Sequence, residues 1–353
     1  MNKIIHVPAG RPYDVHIASG LLGSVGLMAR EVLSGAQKAA VITDSNVEAL
    51  YLTPVQRSLE GAGFEIISLA IPPGEGSKNC DNYLSLLDEL NAHSITRTDV
   101  IVALGGGVVG DLAGFAAATY LRGVRYVQVP TTLLAMVDSS VGGKTAIDLP
   151  AGKNLVGAFY QPMLVVCDPK TLDSLPPQFL SDGAAEVIKY GKLCAPGLLE
   201  RLRAGADVAR QLEVIAECIT IKRDIVCEDE FDTGRRMLLN FGHTIGHAIE
   251  KLSGYEVSHG QAVAIGMAMD TRAALRKGLC PPECLSILEE LLTLYHLPDK
   301  TEFSPQRLYE AALSDKKREG GRITIVTPRE LGKCELITMP VTELLDWIET
   351  GVS

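Results

Sequence analysis

The sequence predicts an α/β N-terminal domain built on a mainly parallel sheet, followed by a mostly α-helical C-terminal domain. Three observations carry this. Short apolar runs bounded by Gly, Pro or Asp alternate with amphipathic stretches as far as Cys167, which is the pattern of βαβ units. One such run, Val100–Leu104, leads into a variant dinucleotide-binding loop, Gly105-Gly106-Gly107-Val108-Val109-Gly110. From Pro177 onward, apolar residues recur at three- and four-residue spacing, as on helices.

Taken in order, strands are expected at Ala39–Thr43, Phe64–Ala70, Val100–Leu104, Tyr126–Pro130 and Met163–Cys167. The amphipathic stretches Val47–Glu60 and Asn79–Asn91 are expected as helices between them, and Leu112–Leu121 as the helix after the glycine loop. Helices are then expected over Arg210–Val226, Leu238–Leu252, Gln261–Arg276 and Cys284–Leu294, with a late strand pair at Arg322–Val326 and Lys333–Ile337. Leu175-Pro176-Pro177 is the candidate boundary, giving domains 1–176 and 177–353.

With 353 residues the chain has room for two cores without disulfide or metal staples. Lys and Arg number 33 against 43 Asp and Glu, a net charge of −10, which argues against a nucleic-acid or membrane-surface partner. The eight cysteines contain no CxxC pair and read as reduced thiols of a cytoplasmic protein. Pro281-Pro282 between Cys280 and Cys284 reads as the start of a helix. No apolar run reaches the ~20 residues of a membrane span, and the N-terminus lacks a signal-peptide core.

The glycine loop lets backbone approach a pyrophosphate at a helix N-terminus. It departs from the usual fingerprint in two ways. It follows about the third strand, and Thr131-Thr132 rather than an acid ends the next one, leaving Asp44 as the candidate ribose contact. Val141-Gly142-Gly143-Lys144-Thr145 is like the tail of a phosphate loop, but Asp138 stands where the first glycine is needed, so a Walker NTPase is rejected. Lys144 remains a candidate phosphate contact.

Two polar stripes stand out. Arg236, Asn240, His243 and His247 would share one face of a helix, and Asp182, Glu186 and Lys189 another. With His259, three histidines fall within 17 positions of apolar sequence. Two histidines and a carboxylate form the three-ligand pattern of catalytic Zn²⁺. HTIGH lacks the glutamate of HExxH, which argues against a metalloprotease. Lys222, Asp229-Glu230 and the run Asp315–Glu319 read by themselves as solvated charge.

Together these residues closely resemble the 3-dehydroquinate synthase family of sugar phosphate cyclases. The motifs run in family order: PPGEGSK at 72–78, ALGGGVVGDLAGFAAATYLRG at 103–123, PTTLLAMVDSSVGGKTAID at 130–148, GKN at 152–154, GAAEVIKYG at 183–191, LNFGHTIGHAIE at 239–250 and HGQAVAIGM at 259–267. The resemblance implies an NAD-binding domain, a helical metal- and substrate-binding domain, and an active site in the cleft between them. It implies a phosphorus–oxygen lyase of the shikimate pathway that acts on a sugar phosphate, in a cytoplasmic homodimer.

By this resemblance Glu186, His243 and His259 bind Zn²⁺ or Co²⁺, and His247 lines the substrate pocket. NAD contacts fall on Asp44, on Pro73, Gly74, Glu75, Gly76, Ser77 and Lys78, and on Gly106, Gly107, Val108, Val109, Gly110 and Asp111. They continue through Thr131, Thr132, Lys144 and Lys153 to Thr171, Leu172, Asp173 and Ser174. Substrate contacts fall on Asp138, Lys144, Asn154, Lys189, Lys222, Arg236, Asn240, His247 and Lys316, with Arg122 reaching a neighbouring subunit's phosphate site. One departure is visible: the family's HGE reads His259-Gly260-Gln261 here, which alters the expected charge around the metal.

Overall fold

The computed structural model describes residues 2–313, 318, 319 and 321–352. They form two compact units, Met1–Leu175 with Ile215–Glu230, and Pro176–Val214 with Phe231–Ser353. Residues 215–230, expected in the second domain, cluster with the first.

The first unit is built on a seven-stranded sheet. Its strands are β1 (Lys3–Val7), β2 (Tyr13–Ile17), β3 (Lys38–Asp44), β4 (Glu65–Ile71), β5 (Val100–Gly105), β6 (Arg125–Pro130) and β9 (Leu164–Cys167), in the order β1-β2-β9-β6-β5-β3-β4. All neighbours are parallel except β1 and β2. β3, β5 and β9 form strands around continuous buried apolar runs, whereas β4 alternates buried and exposed positions. Val41 and Val102 pack in one core cluster, whereas Ile42 and Ile101 pack in another. Successive side chains point to opposite faces, so both faces are covered.

Two hairpins were not anticipated. β1 and β2 pair antiparallel at the sheet edge, and β7 (Lys144–Leu149) pairs with β8 (Gly152–Phe159) apart from the main sheet. The first makes the strand before the glycine loop the fifth in the chain rather than the third. The second places Lys144 at the start of a strand, unlike a phosphate loop that enters a helix. The stretch Val47–Glu60 is also subdivided: a π-helical segment, Glu48–Leu52, precedes the α-helix Thr53–Gly61.

In the second unit the helix Pro177–Cys194 carries Asp182, Glu186 and Lys189, the helix His243–Leu252 carries His243 and His247, and the helix His259–Arg276 starts at the third histidine. Ile245 and Ile249 of the helix His243–Leu252, Ile265 and Met269 of the helix His259–Arg276, and Trp347 share one buried core cluster. The helix Glu283–Leu294 starts directly after Pro281-Pro282, as expected. The late strands are β11 (Arg322–Glu330) and β12 (Lys333–Pro340), with the short β10 (Arg318–Glu319) beside β11.

The first stripe is not one helix. Arg235–Asn240 is a 3₁₀ segment, and the α-helix restarts at His243 after Gly242 in the left-handed region (φ 76°). A Cβ on Gly242 would lie 2.6 Å from the Val263 carbonyl oxygen, so backbone packing against the helix His259–Arg276 requires glycine there.

All eight cysteines are free. Among the described residues, no helix is long and apolar enough to cross a membrane.

Candidate functional site

Glu186 lies mid-helix in the second unit with its side chain fully buried. Its Oε1 is 3.8 Å from His243 Nε2 and 3.6 Å from His259 Nε2. Neither Glu186 oxygen accepts a hydrogen bond among the described residues, and Oε2 is ion-paired with the ammonium of Lys189, itself buried. Both histidines are the first residues of their helices, so the turns before them set their position.

This cluster fits a divalent ion. Tetrahedral bonds of about 2.1 Å would separate ligand atoms by roughly 3.4 Å, close to the spacing found. The ligand atoms of Glu186, His243 and His259 all lie within 4.8 Å of one another. The outer contacts orient the donors. His243 Nδ1 lies 3.0 Å from the Phe241 carbonyl oxygen, which can only accept, so Nδ1 carries a proton and Nε2 is the ring atom turned toward Glu186 and available to a metal. Beside His259 Nδ1, at 3.5 Å, is Oε2 of Glu250, a buried residue that the sequence reading missed. Its signal was a carboxylate seven positions after His243 on the same helix. Burial disfavours the His259 imidazolium, yet Glu250 and Glu186 outweigh it and push the pKa up to about 10. The surroundings of this ring call for positive charge.

His247, Glu250 and His259 form a second group of three donors, sharing His259 with the first. The His247 and His243 rings stand edge to face, 5.4 Å apart. Arg236 is 1% exposed and Asn240 ends the same 3₁₀ segment.

Gln261 has a local task. It is the N3 residue of a capping box, in which Ser258 N–H donates to Gln261 Oε1 at 3.3 Å. Glutamine fills this role as glutamate does. Separately, Ser258 Oγ donates to Asp182 Oδ1 at 2.5 Å.

In the first unit, the helix Gly107–Thr119 begins inside the glycine loop, five residues earlier than expected. Gly106, Gly107, Val108 and Val109 thus form its N-terminal turn, with donors suited to an anion. Gly110 permits close packing on the sheet, since a Cβ there would lie 2.8 Å from Gln128 Oε1.

Asp44, expected at the ribose, caps the following turn by accepting from the N–H groups of Asn46 and Val47. Thr131 N–H donates to the Gly105 carbonyl at 3.0 Å and Thr171 Oγ1 donates to the Thr131 carbonyl at 3.4 Å, which brings these segments together. Tyr51 OH donates to the Thr171 carbonyl and lies 2.5 Å from Ser174 Oγ. Of the loop at 73–78, Glu75 pairs with Lys153 at 3.1 Å, and Lys78 donates to Asp111 Oδ2 at 2.6 Å and to Asn154 Oδ1 at 2.5 Å.

Lys222 and Glu230 are not solvated charges. Lys222 is 5% exposed and lies 2.9 Å from Asp138 Oδ1, while Glu230 accepts from Gly10 N–H and Gln161 Nε2. Lys144 is exposed. Leu121 and Arg122 both have positive φ, 51° and 64°. Lys316 and the rest of 314–317 lie outside the described residues.

Residues 68–182 match the family "3-dehydroquinate synthase N-terminal" and residues 183–318 match "3-dehydroquinate synthase C-terminal". A protein of Enterococcus faecalis named 3-dehydroquinate synthase is 44% identical over 338 residues, covering 94% of each chain. The chain belongs to the 3-dehydroquinate synthase family. Among solved structures, 2-epi-5-epi-valiolone synthase from Streptomyces hygroscopicus, with NAD⁺ and Zn²⁺ bound, is similar at 27% identity and a TM-score of 0.87, with 96% of each chain covered. A 2-deoxy-scyllo-inosose synthase complexed with carbaglucose-6-phosphate, NAD⁺ and Co²⁺ is similar at 28% identity and the same TM-score, with 100% of each chain covered.

Proposed function

We propose that this protein is a 3-dehydroquinate synthase of the shikimate pathway, with NAD and one Zn²⁺ or Co²⁺ as cofactors. The observation that carries this is the buried Glu186 carboxylate facing the Nε2 atoms of His243 and His259, in a chain that belongs to this family. The substrate is 3-deoxy-D-arabino-heptulosonate 7-phosphate and the products are 3-dehydroquinate and phosphate. The reaction is redox neutral. The C5 hydroxyl becomes a transient ketone, the adjacent C–H becomes acidic and phosphate leaves. The hydroxyl is then restored, the ring opens and an intramolecular aldol closes the carbocycle.

Glu186, His243 and His259 would hold the metal. The N-terminal turn Gly106–Asp111 would receive the NAD pyrophosphate, with Thr131, Thr132 and the segment Thr171–Ser174 beside it. When bound, NAD supplies a reversible hydride acceptor and the divalent ion polarises substrate oxygens. Arg236, shielded from water, is suited to a bidentate pair with the substrate carboxylate, and Lys222, steadied by Asp138, adds a second cation. Lys144, Asn154, Asn240 and Lys316 would take the phosphate, and Lys189 and His247 the ring hydroxyls.

We further infer a cytoplasmic homodimer in which Arg122 serves the neighbouring subunit. Apolar residues exposed around it or on β8 support a covered surface, notably Leu121, Leu155 and Phe159. The free thiols suit a reducing compartment.

Incubation with the heptulosonate phosphate, following phosphate and dehydroquinate together, tests the assignment. Both should appear in equal amounts. No product from this substrate, with turnover of another sugar phosphate, would assign the chain to a sister cyclase.

A further inference from the structure

The helices Pro177–Cys194 and His259–Arg276 bring Glu186 and His259 together, and they touch at Asp182. A Cβ on Gly260 would run into the main chain of Asp182, so the two helices meet backbone to backbone beside His259. Asp182 lies one turn before Glu186 and is 7% exposed. Its Oδ1 accepts from Ser258 Oγ at 2.5 Å, and its carboxylate also accepts from the main-chain N–H of Gln261. Ser258 directly precedes His259, and Gln261 lies two residues after it, in the first turn of the same helix. A carboxylate on one ligand-bearing helix thus caps the open N–H end of another. The third, His243–Leu252, is held against the helix of His259 by Gly242 and by Gly246, where a Cβ would lie 3.1 Å from the Ala262 carbonyl oxygen.

Glycine contacts set how near two helices come but not how they slide, because dispersion has no preferred direction. Hydrogen bonds have one. We propose that Asp182 is a positioning residue of the metal centre: through Ser258 Oγ and the Gln261 N–H it fixes where the helix of His259 begins relative to the helix of Glu186. This rests on the reading that Glu186, His243 and His259 hold the metal. Two carboxylates then divide the work around His259. Glu250 faces Nδ1 and orients the ring, whereas Asp182 sets the main chain that carries it. A slide of one helix past the other would pass directly to the distance between Glu186 Oε1 and His259 Nε2, 3.6 Å here. Metal bonds tolerate only about 0.2 Å of such error.

The test titrates the full chain, stripped of metal, with Co²⁺ against a chelator, and reads the visible absorption of the bound cobalt as a signature of ligand geometry. Asp182→Ala should weaken Co²⁺ about tenfold, the low end for residues that orient metal ligands, and alter the cobalt bands. Ser258→Ala removes the same bond from the other side and should weaken Co²⁺ several-fold. Ser258→Thr keeps the hydroxyl and should restore both affinity and bands. Added to Asp182→Ala, the Ser258→Ala change should cost less than about twofold more. Urea midpoints of the same variants separate positioning from a general loss of fold. A lowered midpoint with cobalt affinity and bands unchanged would make the contact structural only and overturn the proposal, as would losses that multiply in full in the double variant. If Asp182→Ala does not fold, Ser258→Ala decides alone, and an unchanged Co²⁺ affinity there overturns the proposal. Co²⁺ retained at wild-type affinity by Glu186→Ala would instead sink the ligand assignment. Failure to turn over the heptulosonate phosphate, with the Asp182–Ser258 coupling intact, would sink the assigned reaction and leave the positioning role standing.

Discussion

Nδ1 of His259 faces the buried Glu250 carboxylate at 3.5 Å, while Nε2 of the same ring faces Glu186 at 3.6 Å. One ring thus has a candidate metal ligand on one side and an orienting carboxylate on the other. Such carboxylate–histidine contacts fix the ring and raise its basicity as a ligand. Glu250→Gln should therefore bind Zn²⁺ about 10–100-fold more weakly in a chelator competition. An affinity within twofold of wild type would show that Glu250 only fills space.

The two overlapping donor groups make opposite predictions for two variants. If Glu186, His243 and His259 hold the ion, His243→Ala should lose metal on dialysis. His247→Ala should keep it and turn over slowly. Metal analysis of the dialysed proteins decides. Equal metal loss from both variants would favour the group containing His247 and Glu250.

Gln261→Glu keeps the capping box and places a negative charge in the first turn of the helix His259–Arg276. Its unfolding midpoint should match or slightly exceed that of wild type, and its metal affinity should change less than about threefold. Gln261→Ala should lose about 1 kcal/mol in denaturant unfolding. A tenfold gain in metal affinity for Gln261→Glu would mean that residue 261 does govern the metal's surroundings.

The parallel sheet was legible because β3, β5 and β9 carry runs buried on both faces and therefore continuously apolar. The hairpins were not. β1 alternates buried with more exposed positions over only five residues, and in β8 mostly polar-facing positions mask its apolar side chains. The metal residues were legible as types at a spacing, but spacing alone treated 236–247 as one helix. The break at Gly242 depends on contact with Val263, a residue distant in sequence, and no local pattern reports that. Lys222 read as solvated for the same reason: its partner Asp138 lies 84 positions away.

Asp99 offers a pH test of the first unit's fold. It is 3% exposed, and burial by itself would raise its pKa. Hydrogen bonds from Thr96 Oγ1 and from the N–H groups of Thr96, Gln37 and Lys38 outweigh burial and hold the carboxyl below its usual value. A depressed folded pKa contributes stability that is present above the unfolded value, near 4, and lost as pH falls through the folded one. Asp99→Asn should thus cost about 2 kcal/mol at neutral pH, with the gap from wild type narrowing below about pH 4. A gap independent of pH between urea midpoints would show that the charge of Asp99 is not what matters.

NAD⁺ should be required but not consumed. Oxidation at C5 serves only to acidify the neighbouring C–H so that phosphate can leave, and the product carries the hydroxyl again. Loss of the reduced cofactor midway would strand the ketone, so residues at the NAD site must retain it through the cycle. The N-terminal turn Gly106–Asp111 can do this by holding the pyrophosphate, which is the same in both redox states. A catalytic amount of NAD⁺ should therefore support many turnovers, with phosphate and dehydroquinate formed one to one. Absorbance from free NADH should stay flat throughout. NADH accumulating in step with product would mean that the hydride is not returned, and the chain would then be a dehydrogenase built on a cyclase fold.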